Sequence, residues 1–505
     1  MARICGPILG FRGRDGDNWR LAIMVAHQGG TASGALTFAE TGQQAAPAVS
    51  AAPLGEVGGA QFFGYEFTAP MNGNERTFEY GFAGEDARWR FVVPGREQPL
   101  RIGYTSCNGF SIPGDMKRIA DKNAVWRDLV ATHARQAMHM LLMGGDQIYA
   151  DQLWDAVPEL RGFNELPRAQ RVTMNAGQSL RGDVERFYVD TYRDRFAQAP
   201  VAEALASIPS LMMWDDHDIF DGWGSYSAEE QASPVFQTIF AVARGCFALF
   251  QLQTNPSAPS WPALPGQGGF NALLRVGDVG LLILDLRSER SITQILAADT
   301  WNVVLDTLDR TVGLRHLLVM SSIPIVHPDM SFIERGLGFV PGMQGIEDDL
   351  HDQWVSYNHR TERLRLVHRL LDFAEAKGTR VSIVSGDVHL AALGVVESAR
   401  RPVGWIYANV INQLTSSPIV HPPPQRIVRY FLEQLGREVS ELDRDIHAQM
   451  LQFPGTNYRI IDARNWLSLE FDDQGRIWAN WHVEDAPQVI TKVVHPCQRA
   501  DAVSS

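Results

Sequence analysis

Four short apolar runs in this chain each end in acid, thiol, phenol or imidazole. Leu100–Ser106 runs into Cys107-Asn108, and Met138–Gly145 runs into Asp146-Gln147-Ile148-Tyr149-Ala150-Asp151. Ser210–Trp214 runs into Asp215-Asp216-His217-Asp218, and Val381–Gly386 into Asp387-Val388-His389. Such a set, gathered at one edge, describes a metal site. Asp146 has two oxygens with which to bridge two cations, and Tyr149 can return its phenolate around a tight turn to the same ion. Three carboxylates around one imidazole at 215–218 repel one another unless cations lie nearby, which makes Asp216 a candidate ligand for a second ion. His217 suits contact with a phosphoryl oxygen or protonation of a leaving group, with Asp215 or Asp218 to orient it. Asp387 and His389, at i and i+2, fall on one side of an extended segment. Cys107, at a strand end beside Asn108, is a candidate thiolate ligand, although a lone cysteine also serves as a small core residue. Thiolate, phenolate and carboxylate together suit ferric iron, and the neighbouring carboxylates suit a hard ion such as calcium, magnesium or manganese.

The elements that must position these groups follow from the pattern around them. Continuous apolar runs suit strands buried on both faces, and open α/β sheets gather ligands beyond the carboxyl ends of their strands. From Leu100 onward, strand and helix alternate. Helices are expected over Lys122–Gln136, Asp183–Ala206, Ala297–Val312 and Tyr357–Lys377, and further strands over Val279–Leu284, Arg315–Met320 and Trp405–Val410. This alternation predicts an α/β fold. Leu467–Phe471 and Ile477–Val483, flanking Asp472–Arg476, read as a hairpin. Residues 1–97 differ: alternating, aromatic-rich segments such as Trp19–Val25 and Gln61–Thr68 predict a small β-sandwich, separated at Val93–Pro99 from a catalytic domain over 98–505. Two Pro- and Gly-rich insertions, Asn255–Gly269 and His327–Trp354, have the length of functional loops.

The motifs GDQIYAD (Gly145–Asp151), DDHDIFD (Asp215–Asp221) and SGDVH (Ser385–His389) resemble the strand-end motifs of the PhoD-like (alkaline phosphatase D) metallophosphatases, within the calcineurin-like metallophosphoesterase superfamily. Cys107 sits where that group carries a cysteine, Asp285 and Arg287 resemble its D-x-R segment, and Asp352–Arg363 resembles its D-x-W…Y…R segment. The likeness covers roughly residues 100–425. It implies a four-layer αββα sandwich, with the N-terminal β-sandwich as an accessory domain. It also implies hydrolysis of phosphate esters with iron and calcium bound, manganese, magnesium or zinc being alternatives in the second site. The first and last strands carry Cys107-Asn108 and Asp387-x-His389, where the wider superfamily has Asp-x-His and paired histidines. In this reading Asp146 bridges the ions, and Cys107, Tyr149, Asp216, Asp387 and His389 complete their shells. A metal-bound hydroxide attacks phosphorus in line while His217 assists the leaving alkoxide. Arg287 either clamps phosphate or pairs with Asp285 or another acid of the sheet edge.

Bulk properties narrow the substrate. The chain has 505 residues, 45 % apolar and 20 % charged, which is ordinary for a folded protein of more than one structural unit. A net charge of −13 argues against generic binding to nucleic acid or anionic membrane. A phosphorylated small molecule, lipid or nucleotide remains open, because bound cations dominate the local field. Monoesterase and phosphodiesterase (phospholipase D-like) readings both stand, and a non-catalytic metal-binding scaffold is the reading from another class. The four cysteines are widely spaced and form no disulfide framework. With no signal-peptide-like apolar core and no run of about 18 apolar residues, a cytoplasmic protein is expected.

Overall fold

The structure is a computed structural model and describes residues 3–29, 33–266, 268–326, 359–400, 404–424 and 432–500. The insertion His327–Trp354, Tyr357 and most of the 352–363 segment lie outside the described residues. The architecture is mixed α/β with several sheets. A ten-stranded sheet runs in the order Ile490–Val494, Ile477–Val483, Asn465–Phe471, Arg101–Thr105, Met140–Gly144, Ser210–Met213, Arg3–Asp15, Asn18–Gln28, Ala60–Pro70, Ala52–Val57. A second large sheet contains Val279–Ile283, His316–Met320, Arg380–Ser385 and Val410–Thr415 side by side, all parallel. In the first sheet Arg101–Thr105, Met140–Gly144 and Ser210–Met213 are likewise parallel. Each of these strands is therefore followed by a loop at a carboxyl end, where the chemistry-bearing residues were expected.

Alternation along the second sheet divides its side chains between two cores. Leu281, Ile283, Leu318, Met320 and Val384 join the cluster that contains the first sheet. Leu282, Leu284, Leu317, Val319 and Ile383 pack instead with Trp301, Val304, Leu366 and Leu370, which come from the helices Ala298–Arg310 and Arg360–Lys377. The helix Ala124–Arg135 buries Val125, Trp126 and Leu129 as its periodicity predicts. The single helix expected over Asp183–Ala206 is two, Gln178–Phe196 and Ala199–Ser207. Pro200, in the first turn of the second, has no N–H to continue the first but suits a helix start.

Residues 1–97 do not form a sandwich with a core of its own. Arg3–Asp15 pairs in parallel with Ser210–Met213 at Gly10↔Ser210, and Ser210 Oγ donates to the Leu9 carbonyl (3.0 Å). Arg3–Asp15, Asn18–Gln28, Ala60–Pro70 and Ala52–Val57 thus extend the same sheet that carries Cys107 and Asp146. Leu36–Glu40, Arg76–Phe82 and Trp89–Val93 form a separate three-stranded sheet, yet their Phe38, Phe78 and Phe91 belong to the same apolar cluster as Leu141 and Met143. Covering Arg3–Asp15 on both faces removes the alternation by which a sandwich strand is recognised. Among the described residues no helix is long and apolar enough to cross a membrane.

Candidate metal centre

Cys107, Asp146, Asp387 and His389 all adopt left-handed backbone, with φ of 55°, 53°, 69° and 53°. Outside glycine this conformation costs roughly 1–3 kcal/mol for each residue and persists only where surrounding structure demands it. Here it turns each chain sharply at a strand end, so that side chains from both sheets converge. Gly145 assists with φ +104°, and a Cβ there would lie 2.9 Å from Asp215 Cβ. Gly109 plays the corresponding part for Tyr149, whose Cδ2 would be 2.4 Å from an added Cβ.

Asp146 belongs to three donor groups. It joins Cys107 and His389 in one, Asp216 and His217 in another, and Asp215, Asp216 and Asp387 in a third. Within each group the ligand atoms lie within 4.8 Å of one another. Cys107 Sγ is 3.6 Å from Asp146 Oδ2, and Tyr149 Oη is 3.0 Å from His389 Nε2. Cys107, Asp146, Tyr149, Asp216, Asp387 and His389 are thus brought together. Asp387 and His389 do not lie along an extended segment, however. Their left-handed turns send them into different donor groups, with Asp146 common to both.

The electrostatics of the cluster suit cations. Burial pushes the Asp146 carboxyl well above the usual carboxylate range; His217 opposes that shift, and Asp215 and Asp216 reinforce it. Asp146 Oδ1 is buried without a hydrogen-bond partner among the described residues, which a carboxylate oxygen tolerates poorly unless a cation supplies one. Burial and then Asp146 raise the Cys107 thiol, while burial lowers the His389 imidazole, leaving it neutral and able to ligate. The donor set fits two neighbouring metal ions.

His217 is oriented by neither Asp215 nor Asp218. Its Nδ1 lies 2.9 Å from Asp151 Oδ2, and Asp151 Oδ1 also accepts from Asp221 N (2.8 Å). Burial alone lowers the His217 pKa, but Asp151 and Asp216 hold it well above the ordinary imidazole value. Asp218 instead ties two strand-end loops together, accepting from Gln147 N (3.1 Å), Ile148 N (3.2 Å) and Asp215 N (2.9 Å). Arg287, read as a phosphate clamp or an ion-pair partner, takes the second part. It is fully buried, its Nε donates to Asp215, Nη2 to Asp216 Oδ1 (3.2 Å) and Nη1 to the Trp223 carbonyl (3.0 Å). Asp285 anchors the Arg287 loop by accepting from Arg287 N, Ser288 N and Trp214 Nε1.

Two contributors escaped the sequence reading. Ser417 Oγ donates to Cys107 Sγ (2.9 Å), and the His421 ring stacks on His389 with centroids 3.7 Å apart. Both follow the strand Val410–Thr415, whose buried Asn412 and Gln413 interrupt the apolar run. The expected strand Trp405–Val410 is broken: Trp405–Ile406 belongs to a separate two-stranded sheet, and Val410 begins the strand Val410–Thr415.

Parallel strands from two sheets, meeting at a carboxylate that unites thiol, phenol, imidazole and further acids, define a candidate metal centre. The sequence model of the PhoD related phosphatases matches residues 74–340 and 339–440, and the chain belongs to that family. An uncharacterized protein of Saccharomyces cerevisiae, YGR266W, is 28 % identical over 498 residues, covering 81 % of this chain and 70 % of the yeast one. The solved structure of PhoD aligns with a TM-score of 0.60 at 12 % identity, covering 99 % of this chain and 93 % of that one, a likeness of fold.

Proposed function

We propose that this chain hydrolyses phosphate monoesters, diesters or both, with iron held by Cys107, Asp146, Tyr149 and His389. A second, harder ion such as calcium is held by Asp146, Asp216 and Asp387. The observation that carries this reading is Asp146, whose carboxylate is, among the described residues, common to every donor group and has a buried oxygen without a partner. Bound there, the cations supply Lewis-acid polarisation and neutralise charge on the phosphoryl oxygens. Arg287 fixes Asp215 and Asp216 from behind, so the second half of the cluster keeps its shape when substrate enters. His217, held through Nδ1 by Asp151, keeps Nε2 for the departing ester oxygen and hands it a proton. The same reading takes the two large sheets as the inner layers of an αββα sandwich.

The test is Asp146→Asn assayed against an aryl phosphate and its methyl diester. Loss of turnover on both, on the order of 10³-fold, is expected from removing the shared ligand. Full activity on either ester would contradict the assignment. The wild-type ratio of the two substrates separates a monoesterase from a diesterase.

A further inference from the structure

Tyr149 also lines a cavity that the chemistry above does not use. It has a volume of about 260 Å³ and lies between the Asn108–Phe110 backbone and the helix Gln178–Phe196. Phe110, Met116 and Phe187 give it an apolar side. Arg195 and Lys122 give it a charged one, and among the described residues neither forms an ion pair with a carboxylate. Arg195 Nε donates to Asn108 Oδ1 (2.9 Å) and Nη2 to Asn123 Oδ1 (2.8 Å), both neutral acceptors. Lys122 Nζ sits 5.9 Å from the centre of the Phe110 ring. Asp194, also on the rim, turns its carboxylate to Arg193 (2.8 Å).

Arg195 and Lys122 both line the cavity. A partly buried guanidinium held only by amide oxygens retains unsatisfied charge, and burial together with Arg464 lowers its pKa to about 9. Its fork is fixed in place by Asn108, the residue after Cys107, so it is positioned relative to the metal ligands.

We propose that this cavity receives the leaving group of the ester, and that Arg195 and Lys122 bind an anionic group carried on it. The preferred substrate is then a phosphate ester whose alcohol or phenol bears a second negative charge next to an apolar segment. This rests on the hydrolytic reading of the metal centre.

Two aryl phosphates of matched shape test it: 4-carboxyphenyl phosphate and 4-carbamoylphenyl phosphate, as monoesters or methyl diesters, whichever turns over faster. The metal-loaded wild-type chain is expected to prefer the carboxylate in kcat/KM by on the order of tenfold. Arg195→Gln brings that ratio close to one. Any general damage falls on both substrates alike and drops out of the ratio. Lys122→Gln, which leaves the Asn108 anchor intact, lowers the ratio part of the way. A wild-type ratio near one, or a ratio unchanged in both variants, would overturn the subsite while leaving the hydrolytic reading in place. Turnover of neither ester would overturn both.

Discussion

Asp151 accepts from His217 Nδ1 and from Asp221 N at once, which fixes the imidazole plane and commits one ring nitrogen. If His217 protonates the leaving oxygen, its worth depends on how badly that oxygen needs a proton. Asp151→Asn is therefore expected to lower kcat for an alkyl phosphate by on the order of 10²-fold and to affect a 4-nitrophenyl ester far less. Equal losses on both would mean that Asp151 only holds the loop. At this scale the sequence was informative about which residue types meet and less so about their partners. The strand-end pattern singled out Asp146, Tyr149, Asp216, Asp387, His389 and Cys107, and the fold brings them together. It left the partner of Arg287 open and misassigned that of His217, because adjacent acids in sequence compete equally on paper. Asp218 turns to backbone N–H groups of another loop, and Asp215 is taken by Arg287 and Ser322 Oγ (2.8 Å).

Among the elements, the parallel strands that carry the site were legible because burial on both faces makes them continuous apolar runs. The same physics hid Arg3–Asp15, whose residues read as part of a small independent β unit but are covered on both sides. That strand borders Ser210–Met213, which leads directly into Asp215 and Asp216. The helix Pro234–Phe250 reinforces the junction: Phe62 packs edge-on against Phe250 (5.0 Å), and Gln251 just beyond donates to Asp218 (2.8 Å). Removing residues 1–97 exposes an unpaired edge beside the site and strips apolar cover from this helix. A chain comprising residues 98–505 is expected to lack a cooperative thermal transition and to aggregate. A well-folded fragment with a sharp transition would show that the first strands are accessory after all.

Across the whole molecule, buried histidines outside the metal-ligand set contribute to the pH dependence of stability. Burial lowers His133, His316 and His482 from 6.5 to about 4. His316 donates from Nε2 to the Gly475 carbonyl (2.6 Å), which joins the second large sheet to the hairpin of the first. Between pH 6.5 and 4 these histidines bind protons in the unfolded chain and refuse them in the folded one, so their contribution to stability falls as pH falls through that window. With chelator present throughout, the urea midpoint is expected to drop from about pH 7 to about pH 4.5, and to drop less in His316→Asn. A midpoint independent of pH would contradict this account. The most direct test of the central claim is the number of metal ions per chain, measured by elemental analysis of natively loaded protein and of Asp146→Asn. Two ions in the natural chain and a loss at both positions in the variant are predicted, since one carboxylate serves both. Two ions retained in Asp146→Asn, with turnover intact, would contradict it.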